Sequence, residues 1–317
     1  MTETRKPLMV IGGPTASGKS DVAAEVGKRL GAEIISADSM QVYRYMDIGS
    51  AKTTLEEMLG VPHHMIDVVD PDEAFDVTRY AAMAKDCINA VSARGRLPIL
   101  CGGTGFYIQA VVNDIDFEET EADTAFREAM TACARENGPE ALFEKLRAAD
   151  PLSAEVIHPH NVRRVIRALE YFDKTGRSIT EHNKTERQKT SPYDLSYFCL
   201  TDDRAYLYDK IEKRVDFMLA EGLVDEVAYL RAMGFDRSLV SMQGIGYKEI
   251  LDYLDGLITY DETVRKIKLN TRHYAKRQLT WFRRERGVDW LDCRDFDRNP
   301  ILLAEEICRR YQEKHRG

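Results

Sequence analysis

Eight residues near the start of the chain, Gly13-Pro14-Thr15-Ala16-Ser17-Gly18-Lys19-Ser20, have the types and spacing of a phosphate-binding loop, G-x-x-x-x-G-K-[ST]. Glycines let consecutive backbone N–H groups turn inward on an anion, and the helix that follows adds the positive end of its dipole. Lys19 brings a mobile positive charge, and the Ser20 hydroxyl is placed to ligate Mg²⁺. A diphosphate or triphosphate is the expected occupant. A second cluster, Ser36-Ala37-Asp38-Ser39-Met40-Gln41, follows an apolar run. Spacing alone leaves Asp38 three roles: Mg²⁺ ligand, general base or helix cap. A third, Cys101-Gly102-Gly103-Thr104-Gly105, pairs glycines that allow close backbone approach to a ligand with a Thr104 hydroxyl. By itself it is equally well a tight turn.

All three clusters stand where apolar runs end. Leu8–Ile11, Ala32–Ser36 and Leu97–Cys101 read as short buried strands, separated by helical patterns at Asp21–Leu30 and Thr78–Ala93. Strands alternating with helices predict a parallel sheet with helices on both faces. Loops at the carboxyl ends of such strands share one crevice, which should turn Asp38 toward the phosphate loop. From Glu118 to about Lys189 no strand is legible. Asn161–Thr175 carries Val162, Val165, Ile166, Leu169 and Phe172 on one helical face with Gly176 as its stop, and the segment after it is polar and turn-like. A strand signal returns at Leu195–Thr201, and the remainder reads as helices, Asp261–Arg284 the longest. The expected architecture is an α/β phosphate-loop core, residues 1–118 and 191–317, interrupted by an all-helical insertion at 119–190.

Composition sets the outer limits. The chain of 317 residues is 44% hydrophobic and 31% charged, which excludes disordered and fibrous classes. Its apolar runs are far shorter than a membrane span needs, and MTETRK lacks the apolar region of a signal peptide, so a cytoplasmic protein is expected. Six scattered cysteines form no C-x-x-C pair, against a zinc module or disulfide framework. A net charge of −8 argues against wholesale nucleic-acid binding, yet two segments are basic. Val162–Lys189 holds Arg163, Arg164, Arg167, Lys174, Arg177, Lys184, Arg187 and Lys189; Thr271–Arg286 holds Arg272, Lys276, Arg277, Arg283, Arg284 and Arg286, interleaved with Tyr274, Trp281 and Phe282. No N-K-x-D guanine reader follows the phosphate loop, and no apolar run ends in a convincing Mg²⁺-binding aspartate, Asp67 being a poor candidate. Those absences lower the GTPase, ATPase and kinase readings.

GPTASGKS, SADSMQVYRYMDIGSAK, GVPHHMID, PILCGGTGFY, RRVIRALE, QGIGYKE and TRHYAKRQLTWFR occur in this order between residues 13 and 283. Together they resemble the bacterial tRNA dimethylallyltransferases (tRNA isopentenyltransferases) over nearly the whole chain. Two positions depart from the pattern: Val162 where proline is frequent, and Thr53 where Ala-Lys-Pro-Thr is usual. Neither removes a chemical group. The resemblance implies transfer of a dimethylallyl group from dimethylallyl diphosphate to the exocyclic amine of the adenosine 3′ of the anticodon. It implies that Gly13, Pro14, Thr15, Ala16, Ser17, Gly18, Lys19, Ser20 and Arg214 hold the diphosphate with Mg²⁺ on Ser20. It makes Asp38 and Thr104 catalytic, Asp38 as the base. It assigns tRNA contact to Asp38, Ser39, Met40, Gln41, Thr104 and Arg127 at the extruded nucleotide. Further contact is expected from Arg163, Arg164, Val165, Ile166, Arg167, Lys276, Arg277 and Arg283 on the anticodon stem-loop. No obligate protein partner is implied, and a monomer is the default.

Three other readings compete. An adenylate dimethylallyltransferase would share loop and base but need neither basic segment. A small-molecule or nucleoside kinase would use the loop for ATP. A non-catalytic tRNA-binding protein would have no use for Gly18, Lys19, Ser20 and Asp38 together.

Overall fold

A computed structural model describes residues 5–117 and 123–316. The expected 118/119 boundary and the first four residues of the MTETRK start lie outside the described residues. The chain divides into two compact units, 113–191 and the sequence on either side of it.

The larger unit is built on six parallel strands: β1 (Lys6–Gly12), β2 (Glu33–Ser36), β3 (His63–His64), β4 (Pro98–Gly102), β5 (Tyr193–Thr201) and β6 (Val288–Asp292), in the order β3-β2-β4-β1-β5-β6. Leu8–Ile11 and Ile99–Leu100 are fully buried, as continuous apolar runs in a sheet covered on both faces should be. β3 and β6 are absent from the sequence reading. Two histidines carry no strand signal, and Val288–Asp292 is short and does not alternate cleanly, since Trp290 and Leu291 are adjacent.

On one face, α1 (Lys19–Leu30) and α12 (Pro300–Lys314) bury Val22, Ala23, Val26, Leu303 and Ile307 against Met9, Ile11, Ile34 and Ile99. α1 is closed by Gly31 in the left-handed region (φ 62°). α2 (Val77–Ala93), α3 (Gly105–Val112) and the helices that follow β5 complete this unit. Tyr80 of α2 is fully buried, stacks on Tyr107 of α3 with centroids 4.0 Å apart, and donates its hydroxyl to the Ser36 carbonyl at 3.0 Å, pinning the end of β2. A second core joins residues 42–69 to α8 (Arg204–Ala220), α9 (Leu223–Ala232), α10 (Tyr247–Leu254) and α11 (Tyr260–Phe282), through Val42, Met46, Val215, Val227, Tyr247, Ile250 and Ile267.

The smaller unit contains α4 (Thr124–Ala149), α5 (Pro151–Ala154), α6 (Val162–Thr175) and α7 (Ile179–Gln188). α4 breaks at Gly138 (φ 85°), immediately before Pro139. α6 ends at Gly176 with φ 66°, where the sequence places its stop. α7 corrects the expected turn: Ile179–Gln188 is polar all round except for its anchors, so periodicity gives no helical stripe. The unit has its own core of Leu142, Phe143, Leu146, Val165, Ile166, Ala168 and Leu169.

Candidate active site

The phosphate loop occupies the turn between β1 and α1. Ala16 (φ 65°) and Gly18 (φ 77°) both take left-handed backbone, the alternation that points successive N–H groups to one side. For alanine that conformation is strained, and such strain gathers at binding loops. The Ser17 hydroxyl is buried there with no hydrogen-bond partner, a polar atom left for a ligand. Lys19 is partly buried and burial lowers its pKa. Arg214, on the inner side of α8, has its pKa lowered by burial too, against the pull of Asp38, Asp21 and Glu57. The two cations repel each other, and among the described residues neither closes an ion pair with a carboxylate. Two converging positive charges left open define an anion site.

Asp38 stands next to both, near enough to favour the charged form of each. Its Oδ1 accepts the Met40 N–H at 2.8 Å, and no described residue donates to Oδ2. Thr104 faces it across the crevice: its N–H donates to the Ala37 carbonyl at 3.1 Å and its Oγ1 accepts the Ser39 N–H at 3.1 Å. The Tyr274 hydroxyl of α11 lies beside Thr104, Gln278 and Asp38. Burial, then the Asp38 charge, push its pKa up to about 12, so it stays a neutral hydrogen-bonding group. The Cys101 thiol beside Lys19 is pushed up to about 12 by burial and is no nucleophile at neutral pH.

Several expected residues are placed differently. The Thr15 N–H does not face the anion; it donates to Gln278 Oε1 at 2.8 Å. Gln41 is buried and its amide bonds Ser36 Oγ at 2.9 Å and the Ala51 carbonyl at 3.1 Å, so it braces its own loop instead of presenting an edge to adenine. Val165 and Ile166, expected at tRNA, lie in the core of the smaller unit because they sit on the apolar stripe of α6. Arg127 gives two bonds of 2.9 Å to the buried Glu170, and Arg167 gives a third, also 2.9 Å. These arginines are structural before they are anything else. Arg163 and Arg164 are exposed with no ion pair among the described residues, and Lys276, Arg277 and Arg283 are exposed on or just past α11. Trp281, one of the aromatics interleaved with those basic residues, turns inward: a Cβ on Gly105 would lie 2.2 Å from its ring. The paired glycines of β4's loop likewise admit the protein itself, since a Cβ on Gly102 would lie 2.1 Å from the Ala37 carbonyl oxygen.

Sequence reading missed two supports. Gln278 gives no signal within a basic helix. Glu226 of α9 accepts the N–H groups of Asp47, Ile48 and Gly49 at 2.9, 2.7 and 3.1 Å and the Tyr247 hydroxyl at 2.8 Å, fixing the loop that descends from Asp38.

Strand order, phosphate loop and paired cations define a phosphate-loop α/β protein with a carboxylate, Asp38, beside the cations. The profile of the IPP transferase family matches residues 41–285, and the chain belongs to that family. It is 50% identical over 302 residues to a tRNA dimethylallyltransferase of Lachnoclostridium phytofermentans, covering 95% of this chain and 96% of that one. A tRNA dimethylallyltransferase of Halalkalibacterium halodurans is 47% identical over 312 residues, 98% and 99% of the two chains. Among solved structures, a full-length tRNA isopentenylpyrophosphate transferase from Bacillus halodurans superposes with a TM-score of 0.73 at 46% identity, over 98% of each chain. A eukaryotic dimethylallyltransferase acting on tRNA gives 0.76 at 30% identity, over 90% of this chain and 74% of its own.

Proposed function

We propose that the protein transfers a dimethylallyl group from dimethylallyl diphosphate to the N6 amine of the adenosine on the 3′ side of the anticodon, position 37 of tRNA, releasing diphosphate. The observation that carries this reading is Asp38, a carboxylate with an uncommitted oxygen beside two open cations. A prenyl transfer to a weak amine needs both the cations and a base. As the allylic C–O bond breaks, its electron pair leaves with the diphosphate. The backbone N–H groups of Gly18–Ser20, with Lys19 and Arg214, stabilise that developing charge. The amine nitrogen forms the new bond to carbon and its proton passes to Asp38, a step worth about 10²–10⁴-fold. Thr104 and Ser39, bonded to each other, line the place of the extruded base.

Among the described residues no three His, Cys, Asp or Glu side chains gather around a metal position. The donors present fit Mg²⁺ held by the Ser20 hydroxyl together with diphosphate oxygens and water, its usual mode on phosphates. Bound there, it would supply further positive charge to the leaving group. Exposed, unpaired Arg163 and Arg164, with Lys276, Arg277 and Arg283, suit the phosphates of a stem-loop. No helix among the described residues is long and apolar enough to cross a membrane; a monomer acting in the cytoplasm accords with a tRNA substrate.

The test is incubation with labelled dimethylallyl diphosphate and Mg²⁺, offering unmodified tRNA in one reaction and AMP in another. Label in tRNA is the expected result. Label in AMP alone would make the protein an adenylate dimethylallyltransferase, and ATP consumed in step with product would make it a kinase.

A further inference from the structure

α11 has two faces with different work. Its outer side carries Lys276 and Arg277; its inner side carries Tyr274 and Gln278, one turn apart and aimed at the crevice. Gln278 is 4% exposed and both ends of its amide are committed. Oε1 accepts the Thr15 N–H at 2.8 Å, and Nε2 donates to the Gly103 carbonyl at 3.0 Å. One side chain therefore joins the loop after β1 to the loop after β4. The fit is close: a Cβ on Gly103 would stand 2.1 Å from Nε2. Tyr274 lies beside both Gln278 and Thr104 of the second loop.

We propose that Gln278 is a positioning residue for the transfer, fixing the loop that holds the leaving group at a set separation from the loop that lines the acceptor base. The inference rests on the function proposed above. Transfer demands that the allylic carbon and the amine nitrogen meet at about 3–3.5 Å in line, and small displacements of either partner are costly to rate. The two loops end separate strands, and their tips are not tied by the sheet ladder, which runs out at Gly12 and Gly102. The amide supplies the missing tie beyond the strand ends.

Gln278→Met keeps the length and apolar bulk of the side chain and removes both bonds. With an anticodon stem-loop as acceptor, kcat should fall about 10–100-fold and KM for dimethylallyl diphosphate should rise, while stem-loop Kd stays within about twofold. Gly103→Ala breaks the same contact from the other side by displacing the amide. Because the two changes remove one contact, the double variant Gly103→Ala/Gln278→Ala should be little worse than Gly103→Ala or Gln278→Ala alone. The idea is overturned by parental kcat and donor KM in both single variants, by additive losses, or by a loss confined to melting temperature and active fraction. A parent protein that prenylates neither tRNA nor AMP would sink the function instead. Diphosphate affinity measured by calorimetry would then still read the tie, since a correct inference has Gln278→Met weaken it.

Discussion

Two carboxylates, one in each unit, sit beside a pair of basic side chains and are used in opposite ways. Glu170 is fully buried in the smaller unit and every direction around it is filled, by Arg127, Arg167 and the Asp123 N–H at 3.0 Å. Asp38 in the larger unit has Lys19 and Arg214 as neighbours but bonds only the Met40 N–H. Each has two basic side chains for neighbours. What separates the two acids is whether their lone pairs are already taken.

The comparison would break most visibly at Asp38. Asp38→Asn should lower kcat by about 10²–10⁴-fold and leave stem-loop affinity within about tenfold, because a base acts in the transition state. A steep rise in donor KM with kcat intact would show instead that Asp38 is a ligand. Lys19→Ala should cost about 10²–10³-fold in kcat/KM for the donor, as loss of a charge facing the leaving group does. Since burial lowers the Lys19 pKa, donor affinity of the free enzyme should weaken with rising pH before the range near 10.4 where an ordinary lysine loses its proton. Titration of donor Kd from pH 7 to 10 checks this.

Glu170→Gln should act on stability, by about 1–3 kcal/mol, with turnover per folded molecule close to parental at low temperature. Burial alone would raise the Glu170 pKa, but its arginine bonds outweigh burial and hold it below the ordinary value. Its contribution is therefore complete above about pH 4.3, where an unfolded glutamate ionises, and is lost as pH falls through the lower folded value. Melting curves on the acid side should show that loss in the parent and not in the variant. The smallest effect belongs to the outer arginines. Arg163→Gln/Arg164→Gln should leave the melting curve unchanged and flatten the salt dependence of stem-loop binding by roughly 0.7–0.9 per lost phosphate contact. Arg167→Gln, which strips a bond from Glu170, should lower the melting temperature.

Much of this was legible in the residues. The phosphate loop, the apolar strands β1, β2 and β4, the return of the sheet at β5 and the stop at Gly176 all follow from patterns a few residues long. So did the choice of Asp38, although a role for it required the resemblance. The misreadings share a cause. Val165 and Ile166 lie between arginines in sequence, yet a helix turns neighbours to opposite sides, and the apolar pair faces inward. Tyr274, Gln278 and Trp281 sit among basic residues on α11 and face the crevice for the same reason. β3 was too short to show, and α7 too polar. Ion pairing is invisible at the level of composition, so Arg127 and Arg167 could not be told from Arg163 and Arg164 before the position of Glu170 was known.

The strand order also fixes a timetable. β1 is the first strand made and lies in the middle of the sheet, with β4 on one side and β5 on the other. Lys6 pairs with Tyr193, and residues 113–191 must leave the ribosome before that pairing is possible. At ~5–20 residues per second, the delay is roughly 4–16 s. Throughout it, the run Leu8–Ile11 presents one bare row of N–H and C=O groups to its surroundings, an open template for any other strand. The helices of the smaller unit, made of contacts close in sequence, can complete during that wait. Each newborn molecule thus passes through an interval in which one unit is finished and the future centre of the other is still an edge.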